Sequence, residues 1–141
     1  MSRIIGIDYG SKRVGVAVSD DGQSFGFAKT VLPNDELLLD RLAALASDEG
    51  ANVFVLGESD NPAGGSNTIL RRSILFGRAL EVRTGLPVKL VKESFSSAEA
   101  RRALLDKAKK RQVRNDTPVD AAAAAIILQT YLDKQVEGGS T

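Results

Sequence analysis

Residues 13–19 read Arg-Val-Gly-Val-Ala-Val-Ser, an unbroken two-residue alternation. That period belongs to a strand and excludes a helix. Val14, Val16 and Val18 share one face, and Gly15, Ala17 and Ser19 the other. Two more strands bracket this one. Residues 3–8 are mostly β-branched and apolar, and they end in Asp8 and a Tyr9-Gly10-Ser11-Lys12 turn. Asp20-Asp21-Gly22 turns the chain back into a third strand over 24–31. Three strands joined by turns this short make an antiparallel meander.

The pattern then becomes helical. Asn34 or Asp35 can cap a helix carrying Leu38, Leu42 and Leu45, which stops near Gly50. Residues 52–57 are a short apolar run of the kind found in buried parallel strands. A polar loop over 58–67 leads to a helix from about Thr68 to Arg83, ended by Gly85 and Pro87. Residues 88–92 form another strand. Ser96-Ser97-Ala98-Glu99 is a capping box that opens a helix to about Lys109. Thr117 and Pro118 start a last helix, which runs to about Lys134 and contains five consecutive alanines suited to close packing on a sheet. The order is βββ-α-β-α-β-α-α. It predicts an α/β fold of the ribonuclease H-like class, with a five-stranded mixed sheet, an antiparallel meander followed by parallel strands, flanked by helices. A single domain over 1–136 and a flexible tail over 137–141 are expected.

The chain contains no cysteine and no histidine. Disulfides, thiolate zinc sites, cysteine nucleophiles, histidine ligands and a histidine general base are all excluded. Catalysis here must rest on carboxylates, lysine, arginine, hydroxyls, backbone groups or a metal. The net charge of +1 conceals an asymmetry. Residues 101–114 hold seven basic side chains, among them Lys109, Lys110, Arg111 and Arg114, against the single acid Asp106. A basic element on an acidic body suits a polyanion, although a solvated helix face has the same composition. No apolar run is long enough to span a membrane. The first eight residues meet an acid too early for a signal peptide, so a cytoplasmic protein is expected.

Three acids stand where ligands collect in open α/β sheets. Asp8 ends the first strand, Glu93 follows the strand 88–92, and Asp120 lies in the first turn of the last helix. Each also has a plain structural reading. Asp8 can simply start a turn, Glu93 can sit in solvent, and Asp120 can complement the helix dipole. As a set they offer oxygen ligands suited to Mg2+ or Mn2+. One or two such ions would serve phosphodiester cleavage, which needs neither histidine nor cysteine. Lys12, Arg13 and the basic segment would hold phosphates.

The run from Asp8 through Tyr9-Gly10-Ser11-Lys12-Arg13-Val14-Gly15-Val16-Ala17-Val18-Ser19 to Asp20 closely resembles the opening signature of the YqgF/RuvX family. Val119-Asp120-Ala121, Ile127-Leu128-Gln129 and Tyr131-Leu132-Asp133 resemble its closing helix. The resemblance covers essentially the whole chain. It implies a bacterial, cytoplasmic, ribonuclease H-like nuclease. The family has been described as Holliday junction resolvases and is associated with maturing the 5′ end of pre-16S rRNA. It also implies a three-acid metal site at the positions of Asp8, Glu93 and Asp120, with the glycine-rich loop at Gly64 and Gly65 approaching substrate.

There are departures. Lys92-Glu93-Ser94 stands where the family usually has Asp-Glu-Arg, and Lys92 brings a cation beside the acids. The partner expected is structured RNA (pre-rRNA) or branched DNA, and the chain is expected to be a monomer or weak homodimer. The alternatives are a Holliday junction resolvase, which normally works as a dimer, and a nucleic-acid-binding module that no longer cleaves. Ile5-Gly6-Ile7-Asp8-Tyr9-Gly10 also looks like the opening of actin-like and sugar-kinase ATPases, but those need two such domains and this chain has room for one.

Overall fold

The computed structural model describes residues 2–10, 12–58, 66–91 and 119–138, with side chains except at 58, 66–71, 119–120 and 135–138. The elements in chain order are β1 (Arg3–Tyr9), β2 (Arg13–Ser19), β3 (Gly26–Pro33), α1 (Leu38–Glu49), β4 (Ala51–Glu58), α2 (Ser66–Thr84), β5 (Val88–Val91) and α3 (Val119–Gly138). The helix expected over 96–109 lies outside the described residues.

The strands form one sheet in the order β3-β2-β1-β4-β5. β1 pairs antiparallel with β2, and β2 antiparallel with β3. On its other side β1 pairs parallel with β4, and β4 parallel with β5. This is the mixed sheet expected from the sequence, with β1 at its centre. Period-two alternation sends the apolar residues of each strand to two different layers. Ile5, Ile7, Val14, Val16, Val18, Phe54 and Leu56 pack with Leu38, Leu42 and Ala46 of α1 and Phe76 and Leu80 of α2. Ile4, Ala17, Val55 and Val91 face the opposite way, against Ala124, Ala125, Ile127, Leu128 and Leu132 of α3.

The five alanines of α3 do what a helix of small side chains allows. Ala121 to Ala125 are all buried, and the helix lies close on the sheet. α1 and α2 each end on a glycine in the left-handed region, Gly50 at φ 67° and Gly85 at φ 72°, as their positions in the sequence predict.

Several boundaries differ from expectation, and three of them bear on the turns and caps. β3 starts at Gly26 rather than residue 24. The Asp20 carboxylate accepts the backbone N–H groups of Ser24 at 2.8 Å and Phe25 at 2.9 Å, so the turn consumes those residues. The last helix continues past Lys134 to Gly138. α1 begins without a side-chain cap from Asn34 or Asp35, and Leu37 occupies its cap position. Asp35 supports the approach by accepting the Leu37 N–H at 3.0 Å. Asn34 is used elsewhere, as described below. Among the described residues no helix is long and apolar enough to cross a membrane.

Candidate active site

Asp8 is built into the centre of the sheet. It lies near the C-terminal end of β1, paired with Gly15 on antiparallel β2 and Gly57 on parallel β4. Cross-strand partners share a face, so the side-chain neighbours of Asp8 on either side are glycines. Only 5% of Asp8 is exposed, and its Oδ1 is shut off from solvent. Placing a carboxylate in such a position costs several kcal/mol unless polar or charged groups meet it. Asp8 interacts with other groups of the chain, and its burial near the strand end makes it a candidate ligand-handling residue.

Alternation puts Asp8 on the α3 face of the sheet, with Ile4 and Gly6. Gly6 is in direct contact with α3: a Cβ there would stand 2.7 Å from Leu128 Cβ and 3.1 Å from the Ala124 carbonyl oxygen. Leu132, later in α3, shares a cluster with Ile4, earlier in β1, so the helix runs back toward its start as β1 runs forward. Asp120 lies in the first turn of α3, the helix that packs on this face of the sheet. The side chain of Asp120 is not among those described. Glu93 also lies outside the described residues, and so do Gly64, Gly65, Lys109, Lys110, Arg111 and Arg114. Among the described residues no three metal-ligating side chains come together.

The donor chemistry fits a hard divalent cation. Asp8 offers carboxylate oxygen, and the glycines beside it bring no competing side chain. In a chain without histidine or cysteine, Mg2+ or Mn2+ suits such a site and a soft metal does not.

Lys12 lies in the β1–β2 connection and Arg13 opens β2, and both are exposed. Asn34 holds this connection from the far side of the meander. Its side-chain amide donates to the Gly10 carbonyl at 2.7 Å, and its backbone N–H donates to the Lys12 carbonyl at 3.0 Å. On the opposite face of the sheet, Tyr9 stacks on Phe76 of α2 with ring centroids 4.6 Å apart, fixing the end of β1. The paired glycines, the Asn34 contacts and the Tyr9–Phe76 stack are not marked by any local pattern in the sequence. Each depends on which strand or helix becomes a neighbour.

A hollow of about 300 Å³ lies at the other end of the sheet, lined by Arg3, Val18, Ser19, Asp20, Phe27, Ala28, Lys29 and Glu49. Its charges are matched within the chain. Arg3 pairs with Asp21 at 2.9 Å and Glu49 at 2.5 Å, and Lys29 pairs with Glu49 at 3.1 Å. Hydrogen bonds from Lys29 and then Arg3 hold the Glu49 carboxyl below the usual glutamate range, against the opposing effect of burial. This end is a charge clamp joining α1 to β1 and β3.

Residues 2–134 match the model of the RuvX family, described as Holliday junction resolvase. A protein of Ligilactobacillus salivarius named as a candidate pre-16S rRNA nuclease is 34% identical over 137 residues, covering 94% of this chain and 93% of its own. A protein of Bacteroides thetaiotaomicron with the same name is 36% identical, covering 96% and 99%. Among solved structures, T. thermophilus RuvC in complex with Holliday junction substrate superposes with a TM-score of 0.68 at 14% identity, covering 98% of this chain and 97% of its own. The fowlpox virus Holliday junction resolvase gives a TM-score of 0.58 at 14% identity, covering 94% and 99%. At such identities these two likenesses establish the fold.

Proposed function

Because this chain belongs to the RuvX family, we propose that it is a divalent-metal-dependent endonuclease that hydrolyses phosphodiester bonds in structured RNA, with 5′ maturation of pre-16S rRNA as its reaction. The observation that carries this reading is the placement of Asp8. It is a buried carboxylate on the central strand, flanked by Gly15 and Gly57 and on the sheet face that α3 covers. The names of the relatives supply the substrate.

Asp8, Glu93 and Asp120 would hold one or two Mg2+ or Mn2+ ions. When bound, such ions supply water activation and neutralise charge on the leaving oxygen. The rest falls to the chain. Gly15 and Gly57 bring no side chain of their own beside Asp8, and Ile127 of α3 packs over Gly57. Lys12 and Arg13 present cations at the edge of the site, where they meet backbone phosphates and set the register of the nucleic acid. The basic segment, with Lys109, Lys110, Arg111 and Arg114, extends that contact, and Gly64 and Gly65 let a backbone loop approach the substrate. Lys92 beside Glu93 lowers the affinity for metal relative to an acid at that position. Residues 1–136 act as one nuclease domain in the cytoplasm.

The test is incubation of the chain with pre-16S rRNA and, separately, with a four-way DNA junction, each with manganese or with chelator. Cleavage of the RNA at a defined site, dependent on manganese and lost in Asp8→Asn, is expected. The family description favours a second reading, resolution of branched DNA. Symmetric cutting of the junction by a dimer, with the RNA left intact, would establish that reading instead. Binding of either substrate without cleavage under any metal would establish a module that no longer cuts.

A further inference from the structure

The expected cap of α1 does not cap it. The helix starts at Leu38 with no side-chain cap, and Asp35 takes the bonds at its approach. Asn34 points the other way, into the β1–β2 connection. It makes two contacts there, through its side-chain amide to Gly10 and through its backbone N–H to Lys12. These fall on either side of one short turn. The turn is tight on its own account, since a Cβ on Gly10 would lie 2.4 Å from the Arg13 carbonyl oxygen.

We propose that Asn34 is a positioning residue for nucleic acid: it fixes the backbone of Gly10 and Lys12 and thereby the distance of the Lys12 and Arg13 cations from Asp8. This rests on the nuclease reading above. The physical case is as follows. Lys12 and Arg13 are exposed and have long, flexible side chains. A phosphate contact from such a side chain gains most when its backbone is already held, because less freedom is lost on binding. The Asn34 backbone N–H lies beyond the end of β3, whose last ladder pair is Arg13 with Pro33. It adds a contact past that pair, to the carbonyl of Lys12 itself. The side-chain amide then ties Gly10, two residues after Asp8. Asn34 thus spans the segment that joins the buried acid to the exposed cations, and it does so without touching substrate.

The test separates this role from simple stabilisation. Binding is measured by fluorescence anisotropy on a labelled RNA stem-loop with a single-stranded 5′ extension, over a series of salt concentrations. Every protein carries Asp8→Asn so that no cleavage intervenes. Asn34→Ala and the near-isosteric Asn34→Asp, which loses the amide donor, are compared with the parent. Each is expected to weaken binding about threefold to tenfold and to lower the salt slope by about one phosphate contact. In a Lys12→Ala/Arg13→Ala background, Asn34→Ala is expected to add nothing, because the cations it positions are gone. A stabilising role alone would lower the melting temperature and leave the salt slope unchanged, and that result would overturn the proposal. Full weakening in the background lacking both cations would also overturn it. Failure of the nuclease reading looks different: the parent, with Asn34 and both cations intact, would not bind the RNA at all.

Discussion

Gly6 and Leu128 approach each other so closely that a Cβ on the glycine would stand 2.7 Å from that of the leucine. The contact is between the central strand and the helix that bears Asp120. Neither partner can retreat easily, because the Ala124 carbonyl oxygen is only 3.1 Å from the same point. Gly6→Ala should therefore push α3 off the sheet and destabilise the fold by about 1–3 kcal/mol. Urea denaturation measures the loss. Cleavage, assayed well below the new midpoint, should fall further than the folded fraction does.

Gly57 makes the same kind of contact through a side chain. A Cβ there would meet Ile127 Cδ1 at 2.5 Å and its Cγ1 and Cγ2 at 2.7 Å. Isoleucine is stiff at χ1, so Gly57→Ala should also destabilise. Here, though, the clash can be removed from the other side. The double variant Gly57→Ala/Ile127→Ala should be more stable than the sum of its single changes predicts, by about 1 kcal/mol or more. Strict additivity in a denaturation cycle would contradict the contact.

Asp8→Asn replaces a buried charge by a neutral group of the same shape. Cleavage should fall to the level seen with chelator, while stability stays the same or rises by about 1 kcal/mol, as is common when a costly functional charge is removed. Melting curves with and without manganese add a second readout. Manganese should raise the midpoint of the unmodified chain and leave that of the variant nearly unmoved.

The charge clamp at the other end of the sheet sets an acid limit. Lys29 and Arg3 depress the Glu49 carboxyl in the folded state. Asp20 is depressed as well, mainly by the Phe25 N–H and also by that of Ser24. A depressed carboxyl stabilises the fold above its unfolded-state pKa, about 4 for these groups. That stability disappears as pH falls through the lower, folded-state value. The midpoint of unfolding should hold through neutral pH and drop below about pH 4. Glu49→Gln should lower stability at pH 7 and flatten the acid limb. An unaltered acid limb in that variant would show that Glu49 contributes nothing to it.

Phe76 carries the stack that fixes Tyr9 at the end of β1, and it is 9% exposed. Phe76→Ala should cost about 3–4 kcal/mol. Phe76→Leu keeps most of the volume and should cost less. Both are read by denaturation.

The sheet was legible in the sequence because its signal is periodic. Residues 13–19 alternate cleanly, and 52–57 form a continuous apolar run that only a strand buried on both faces needs. Asp8 stood out for a related reason, as a carboxylate ending an apolar strand. What was not legible depends on partners. Asn34 and Asp35 look alike as helix caps, and only the arrival of β3 beside β2 brings Asn34 to Gly10. The third strand was placed two residues early, because no propensity records that the Asp20 carboxylate captures the next two amides. Gly15 and Gly57 are ordinary strand glycines until the β2-β1-β4 register sets them on either side of Asp8.

The two faces of the sheet are covered at different times in the chain's synthesis. α1 and α2 follow the meander closely, whereas α3 is the last described element and, among the described residues, the helix that packs the face carrying Gly6 and Asp8. Until the ribosome has made α3, the contacts of Gly6 with Leu128 and Ala124 cannot form and Asp120 does not exist. A nascent chain thus already has Asp8, Lys12 and Arg13 but lacks the helix that bears Asp120. On the proposed reading, the chain would gain its cutting activity only once its last helix has been made.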